Sequence, residues 1–229
     1  MTERILFFDI DGTMLSTGGA GQQAMELALA EEFQIPLPFE NIPTAGRTDR
    51  GIENDIFGRY GIPLTDQNRQ RFMRAYLERL PDCLRELPGG LLPGVRELLQ
   101  QLTERTDVHL SLLTGNYAEG AWMKLQHFGI DQYFGSGGGG YGDHHAERND
   151  VAHLAIRNVS EVLQRSVSGA EAVVIGDTPA DIRCARAIEA RAIAVATGVY
   201  SADQLRPHAP DHLFCDLSDT TVVVERLLG

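Results

Sequence analysis

Asp9 and Asp11 stand one residue apart at the end of an apolar run in ILFFDIDGTML, residues 5–15. On a strand, residues two apart face the same side, so both carboxylates can point into one site. Two carboxylates about 4 Å apart at an effective dielectric near 20 repel by roughly 4 kcal/mol, besides their desolvation. A hard divalent cation removes that conflict: Mg2+ takes oxygen ligands, typically one or two carboxylates plus substrate phosphate. The competing reading ends the strand at Asp9 and leaves Asp11-Gly12 as a solvated turn. A second apolar run, in VVIGDTPADI, ends in Asp177 and is followed by Asp181. Thr178 as N-cap, Pro179 at the first helical position and Asp181 at the third make a helix start. That leaves Asp177 unexplained, a third acid at the same edge, and converging acids point to a metal. In LSLLTGN, Thr114 closes another run, where its hydroxyl and the N–H groups of Gly115 and Asn116 could hold an anion. Asn116 with Glu119 also reads as a helix cap.

These residues need a sheet to bring them together. Continuous apolar runs too short for helices mark buried strands at 5–10, 111–115 and 171–177, with weaker ones at 190–198 and 212–216. Helical patterns at 94–104, 117–127, 150–164, 179–188 and 218–228 alternate with them. The alternation implies an α/β fold, a doubly wound parallel sheet with helices on both faces. Its ligands bind at the carboxyl ends of the strands, where these polar residues fall. Residues 16–88 break the pattern and read as helices at 22–33, 49–59 and 66–80, between the joints STGGAG and LPGGLLPG. The expected division is a core of 1–15 and 88–229 with a helical lid of 16–87, hinged at those joints. The glycine-rich stretch 135–145 is expected to be a weak strand passing into a flexible loop.

Composition narrows the function. A net charge of -12 argues against nucleic acid as a partner, because phosphate-backbone binding needs a basic face. No apolar run reaches membrane-spanning length, and MTER leads directly into a short strand without a signal-peptide pattern. Cys83, Cys184 and Cys215 are odd in number and lack a CxxC pair, which suits reduced thiols and a cytoplasmic location. Nineteen of the twenty basic residues are Arg, and Lys124 alone is Lys, so cationic chemistry must mostly recruit Arg.

DIDGT, LLTGN and GDTPAD, in that order, resemble the first, second and fourth motifs of the haloacid dehalogenase superfamily, with the helical insertion where its C1-type cap sits. The resemblance covers nearly the whole chain, which within the family resembles the phosphoglycolate phosphatase-like members. It implies a central first strand flanked by the strands that carry Thr114 and Asp177. It also implies roles. Asp9 is the nucleophile that forms an aspartyl-phosphate, Asp11 the general acid and then base, and Thr114 a phosphate ligand. Asp9, the Asp11 backbone carbonyl and Asp177 hold Mg2+, with Asp181 supporting that shell. Gly12, Thr13, Gly115 and Asn116 fall in the motifs as substrate-binding positions. An acid at position 11 favours phosphoryl transfer, since dehalogenase and phosphonatase members lack it.

The third motif of the family is usually a Lys, sometimes an Arg, and no Lys follows position 124. Arg148, at the start of a predicted helix upstream of Asp177, is the candidate phosphate cation, because a guanidinium holds phosphate bidentately. Lys124 competes, but its place in the middle of the 117–127 helix reads as a solvated face. In AGRTDRGI, residues 45–52, Arg47, Thr48 and Asp49 resemble the cap loop that reaches into C1 active sites. The alternative is that Thr48 caps a helix among solvated charges. Asp143, His144 and His145 lie in a glycine-rich neighbourhood that favours a loop over a zinc site. The expected function is a Mg2+-dependent phosphomonoester hydrolase acting on a small phosphorylated metabolite. A sugar phosphomutase on the same fold and a non-catalytic phosphometabolite-binding module are the alternatives. The sequence leaves the substrate and the oligomeric state open.

Overall fold

A computed structural model describes residues 3–35, 43–135 and 138–229. In chain order its elements are β1 (Arg4–Phe8), β2 (Leu15–Ser16), α1 (Ala20–Phe33), α2 (Asp49–Tyr60), α3 (Asp66–Glu86), β3 (Gly90–Leu91), α4 (Val95–Thr103) and β4 (Val108–Leu113). Then come α5 (Ala118–His127), β5 (Gly139–Gly140), α6 (Arg148–Val162), β6 (Ala172–Gly176), α7 (Pro179–Ala187), β7 (Arg191–Val195), α8 (Ala202–Leu205), β8 (His212–Phe214) and α9 (Thr220–Leu228).

Six strands form one parallel sheet in the order β5-β4-β1-β6-β7-β8. The run of apolar residues in β1 has a simple cause, since both of its faces are covered. Leu6 and Phe8 pack on one side with Leu98 and Leu102 of α4, Leu125 of α5 and Leu227 of α9. Ile5 and Phe7 pack on the other with Ala155 and Val159 of α6 and Ile182 and Ala185 of α7. The doubly wound expectation holds, with β1 between the strands that end beside Thr114 and Asp177.

The segment between β2 and β3 builds its own apolar cluster from α1, α2 and α3, including Leu29, Phe57, Phe72 and Tyr76. Its two ends are brought side by side, because Leu15–Ser16 pairs antiparallel with Gly90–Leu91. Helix α3 runs past the expected end at residue 80 and carries Pro81 inside it. A proline there removes one backbone hydrogen bond and costs about 3 kcal/mol. Burial of Cys83 and Leu84 one turn further on continues the packed face and outweighs it. The glycine-rich stretch supplies the edge strand β5, with residues 136 and 137 outside the described residues. Beyond β5 the chain is tied down: Gly142 N–H donates to Asn116 O at 2.8 Å, and the Arg50 guanidinium donates twice to Asp143 O. No described helix is long and apolar enough to cross a membrane.

Candidate active site

Asp9 follows the last residue of β1, and its N–H still donates to Ile175 O at 2.9 Å, so the strand ladder aims its side chain over the sheet edge. Asp177 follows β6 and Thr114 follows β4, on either side. After Asp9 the chain must turn at once. Gly12 makes the turn with φ of 82°, and a Cβ there would lie 2.5 Å from Asp177 Oδ2, so this position needs glycine twice over. Thr13 is fully buried and donates to Asp177 Oδ1 at 3.1 Å.

The acids Asp9, Asp177 and Asp181 are all buried, with one carboxylate oxygen of each within 4.8 Å of the others. They are the one group of this kind among the described residues. Asp143, His144 and His145 do not form one; the Asp143 carboxylate instead accepts from Ala118 N–H at 3.0 Å and caps α5. Thr178 and Asp181 form the expected capping box, Thr178 N–H and Oγ1–H both donating to Asp181 Oδ2. Burial pushes Asp9 up from 3.8 to about 6, against the pull of Arg148. Burial, then the neighbouring charges of Asp181 and Asp9, push Asp177 up to about 8. A site of hard oxygen donors in which burial opposes the negative charge suits a small divalent cation.

Two cations enter the site, on different carboxylates. Arg148, the first residue of α6, is buried and donates from one terminal nitrogen to Asp9 Oδ1 at 2.9 Å and Asp181 Oδ1 at 2.6 Å. Burial opposes its charge, but Asp181 and Asp9 outweigh it and hold the guanidinium protonated. Its Nε has no hydrogen-bond partner among the described residues. Lys124 corrects the sequence reading: it is not on a solvated face but only 4% exposed. Its ammonium donates to Asp11 Oδ2 at 2.7 Å and to Asn116 Oδ1 at 2.5 Å. Asn116 Nδ2–H in turn reaches Asp11 Oδ2 at 2.8 Å and Thr114 Oγ1 at 2.7 Å. The sequence carried a signal for Lys124, because it shares the buried stripe of α5 with Gly120, Ala121 and Leu125.

These groups open onto a cavity of about 390 Å3 lined by Asp9, Asp11, Thr114, Lys124, Arg148 and Asp177 among others. Gly12, Gly115, Asn116, Arg47 and Asp49 also line it, whereas Thr13, Thr48 and Asp181 stand behind the lining. Arg47 contributes its loop more than its charge: the guanidinium turns back to Asp55 at 2.6 Å and Gly51 O at 3.2 Å. Thr48 caps α2 by accepting from Gly51 N–H, and its hydroxyl donates to Ala146 O at 2.9 Å. Sequence reasoning missed Thr197 and Gly198. Thr197 Oγ1–H donates to Gly12 O at 2.6 Å, and a Cβ on Gly198 would meet Asp177 Oδ2 at 1.7 Å. The signal was the one used for the other strands, a polar residue and glycine after an apolar run.

The loop before α2 is pressed onto the sheet edge. Asp49 N–H donates to Gly115 O at 2.7 Å, and a Cβ on Gly115 would lie 1.9 Å from Arg47 O. Gly115→Ala is therefore expected to push this loop away and to lower turnover by about 10- to 100-fold. Thermal stability changes little, because both apolar layers beside the sheet stay packed. Steady-state kinetics beside a melting curve checks this.

Asp49 is buried and accepts from Tyr117 N–H at 2.7 Å. Burial pushes it up from 3.8 to about 7, opposed by Lys124 and reinforced by Asp11 and Asp143. The folded state thus prefers the protonated acid, a contribution complete below the ordinary 3.8 and lost as pH rises through about 7. At about 1.4 kcal/mol per unit, the loss is at most about 4 kcal/mol. Asp49→Asn, whose amide oxygen can still accept from Tyr117, is expected to raise Tm more at pH 8 than at pH 5.

Fold and site together define an α/β protein with an acidic crevice where the strand order reverses about β1. A family model described as haloacid dehalogenase-like hydrolase matches residues 3–189, and the chain belongs to that family. It is 27% identical over 230 residues to "Probable phosphatase IndB" of Dickeya dadantii (strain 3937), across 98% of this chain and 94% of that protein. A stretch of 100 residues is 34% identical to phosphoglycolate phosphatase of Caulobacter vibrioides, 42% of this chain and 40% of the other. The structure of CbbY from Rhodobacter sphaeroides in complex with phosphate matches with a TM-score of 0.73 at 21% identity, over 96% of each chain. At that identity the likeness is one of fold.

Proposed function

We propose that this protein is a Mg2+-dependent phosphomonoesterase that acts on a small phosphorylated metabolite through an aspartyl-phosphate on Asp9. One observation carries the reading. Two carboxylates a single residue apart have different cations, Asp9 with Arg148 and Asp11 with Lys124. Equivalent metal ligands would not need separate partners, whereas a nucleophile and a proton carrier do.

Asp9, Asp177 and the Asp11 backbone carbonyl would hold Mg2+, with Asp181 behind them. When bound, Mg2+ neutralises charge on the phosphate oxygens that would otherwise repel a carboxylate. Arg148 binds the phosphoryl oxygens with the donors it has to spare, and Thr114 orients them with its hydroxyl. Asp9 attacks phosphorus while Asp11 gives its proton to the departing oxygen; Asp11 then takes a proton from the water that releases phosphate from Asp9. Residues 16–87 act as a cap that limits substrate size, which the separate packing of α1–α3 and the contacts of Asp49 and Arg50 with the sheet edge support.

The test is a panel of phosphorylated metabolites incubated with Mg2+, with release of inorganic phosphate as the readout. Release that depends on Mg2+ is the expected result. An isomerised sugar phosphate without free phosphate would mean a mutase, and binding without turnover a non-catalytic module.

A further inference from the structure

Lys124 is the single lysine of a chain with nineteen arginines, and it is buried in a site that already has a cation in Arg148. Burying an ammonium is costly unless its donors are matched. Here two of the three are matched, to Asp11 Oδ2 and Asn116 Oδ1. Neither of these is an atom of the buried Asp9, Asp177 and Asp181 cluster. Gly21 of α1 lies beside the ammonium: a Cβ at that position would make ordinary van der Waals contact with Lys124 Nζ, at 3.5 Å.

Asp11 is the more exposed member of the pair of acids. Its side chain is 39% exposed and, standing two residues from Asp9, could swing its carboxylate toward the acid cluster or toward solvent. Lys124 and Asn116 hold the same oxygen, Oδ2, from two directions. That leaves Oδ1 without either partner. Asn116 also ties the arrangement to Thr114.

We propose that Lys124, acting with Asn116, is a positioning residue that holds the Asp11 carboxylate off the metal site and on the leaving-group side of the cavity. The proposal rests on the phosphomonoesterase reading above, in which Asp11 is the proton carrier.

The test compares Lys124→Met with wild type on a series of phosphate monoesters, from alkyl phosphates to 2,4-dinitrophenyl phosphate. The value of kcat/KM reports the step in which Asp9 is phosphorylated. A dinitrophenolate leaves without a proton, whereas an alkoxide needs one. A misplaced Asp11 is expected to lower kcat/KM about 100-fold for alkyl esters and less than about 5-fold for the dinitrophenyl ester. Asp11→Asn is expected to show the same slope. Equal losses along the series, or no loss, would overturn the proposal by assigning Lys124 to phosphate binding or to the fold. Lys124→Gln, which keeps hydrogen-bond donors, serves if the methionine variant does not fold, with a smaller loss of the same slope. A crystal structure of the variant gives a readout independent of turnover: Asp11 is expected to leave its place beside Asn116, and finding it unmoved would overturn the proposal. If wild type cleaves none of the esters, the phosphomonoesterase reading fails, and the position of Asp11 in that crystal still decides for or against Lys124.

Discussion

Asp9→Asn is expected to leave less than about a hundredth of the wild-type rate of phosphate release in Mg2+, because in the proposed mechanism an amide cannot form the covalent intermediate. The same variant melts at the wild-type temperature or above it. Burial pushes Asp9 up to about 6, with Asp181 and Asp11 adding to the strain of its charge, so a neutral isostere relieves the folded state. The opposite signs make the result diagnostic, since activity is lost while stability is kept. The rise in Tm on adding Mg2+ also shrinks, because a ligand stabilises the fold only as far as it binds. Retention of more than about a tenth of the rate would remove Asp9 from the role of nucleophile.

Arg148→Met loses on both counts. Asp9 and Asp181 share this one guanidinium at 2.9 and 2.6 Å, and all three side chains are buried. Breaking such a pair from one side leaves uncompensated charge and typically costs about 3–5 kcal/mol. A Tm several degrees lower is expected, recovered in part by Mg2+, which restores positive charge beside the same carboxylates. Turnover is expected to fall by about a thousandfold or more, by the same factor for good and poor leaving groups, since in the proposed mechanism Arg148 acts on the phosphoryl oxygens. Arg148→Lys recovers only part, because an ammonium lacks the planar fork. Set beside Lys124→Met, whose loss depends on the leaving group, the pair of variants separates two cations that a single activity measurement would confuse.

The sequence expected Arg148 and Lys124 to compete for one role, and the folded protein gives each its own carboxylate. Arg148 was legible because a charged residue at a helix start, after an edge strand, lands on the carboxyl edge of the sheet. Lys124 was misread because a charge in mid-helix is more often solvated than buried. Arg47 shows the reverse error: a polar loop before a helix was located well, but its guanidinium had a partner at Asp55 one turn and a half along α2. The helical pattern read from the sequence stopped at residue 80, whereas packing of Cys83 and Leu84 carries α3 on through Pro81.

What the sequence determined by itself was whatever depends on local period and on the ends of strands. Apolar runs of strand length, each closed by a polar residue, set the parallel sheet and put Asp9, Thr114 and Asp177 on one edge. What only the tertiary structure decided was pairing among charges far apart in the chain: Lys124 with Asp11, Arg148 with both Asp9 and Asp181, Asp49 with the start of α5. The physical reason is that the partner of a long side chain follows from burial and from which elements cross above it. Neither has a period that a sequence can display.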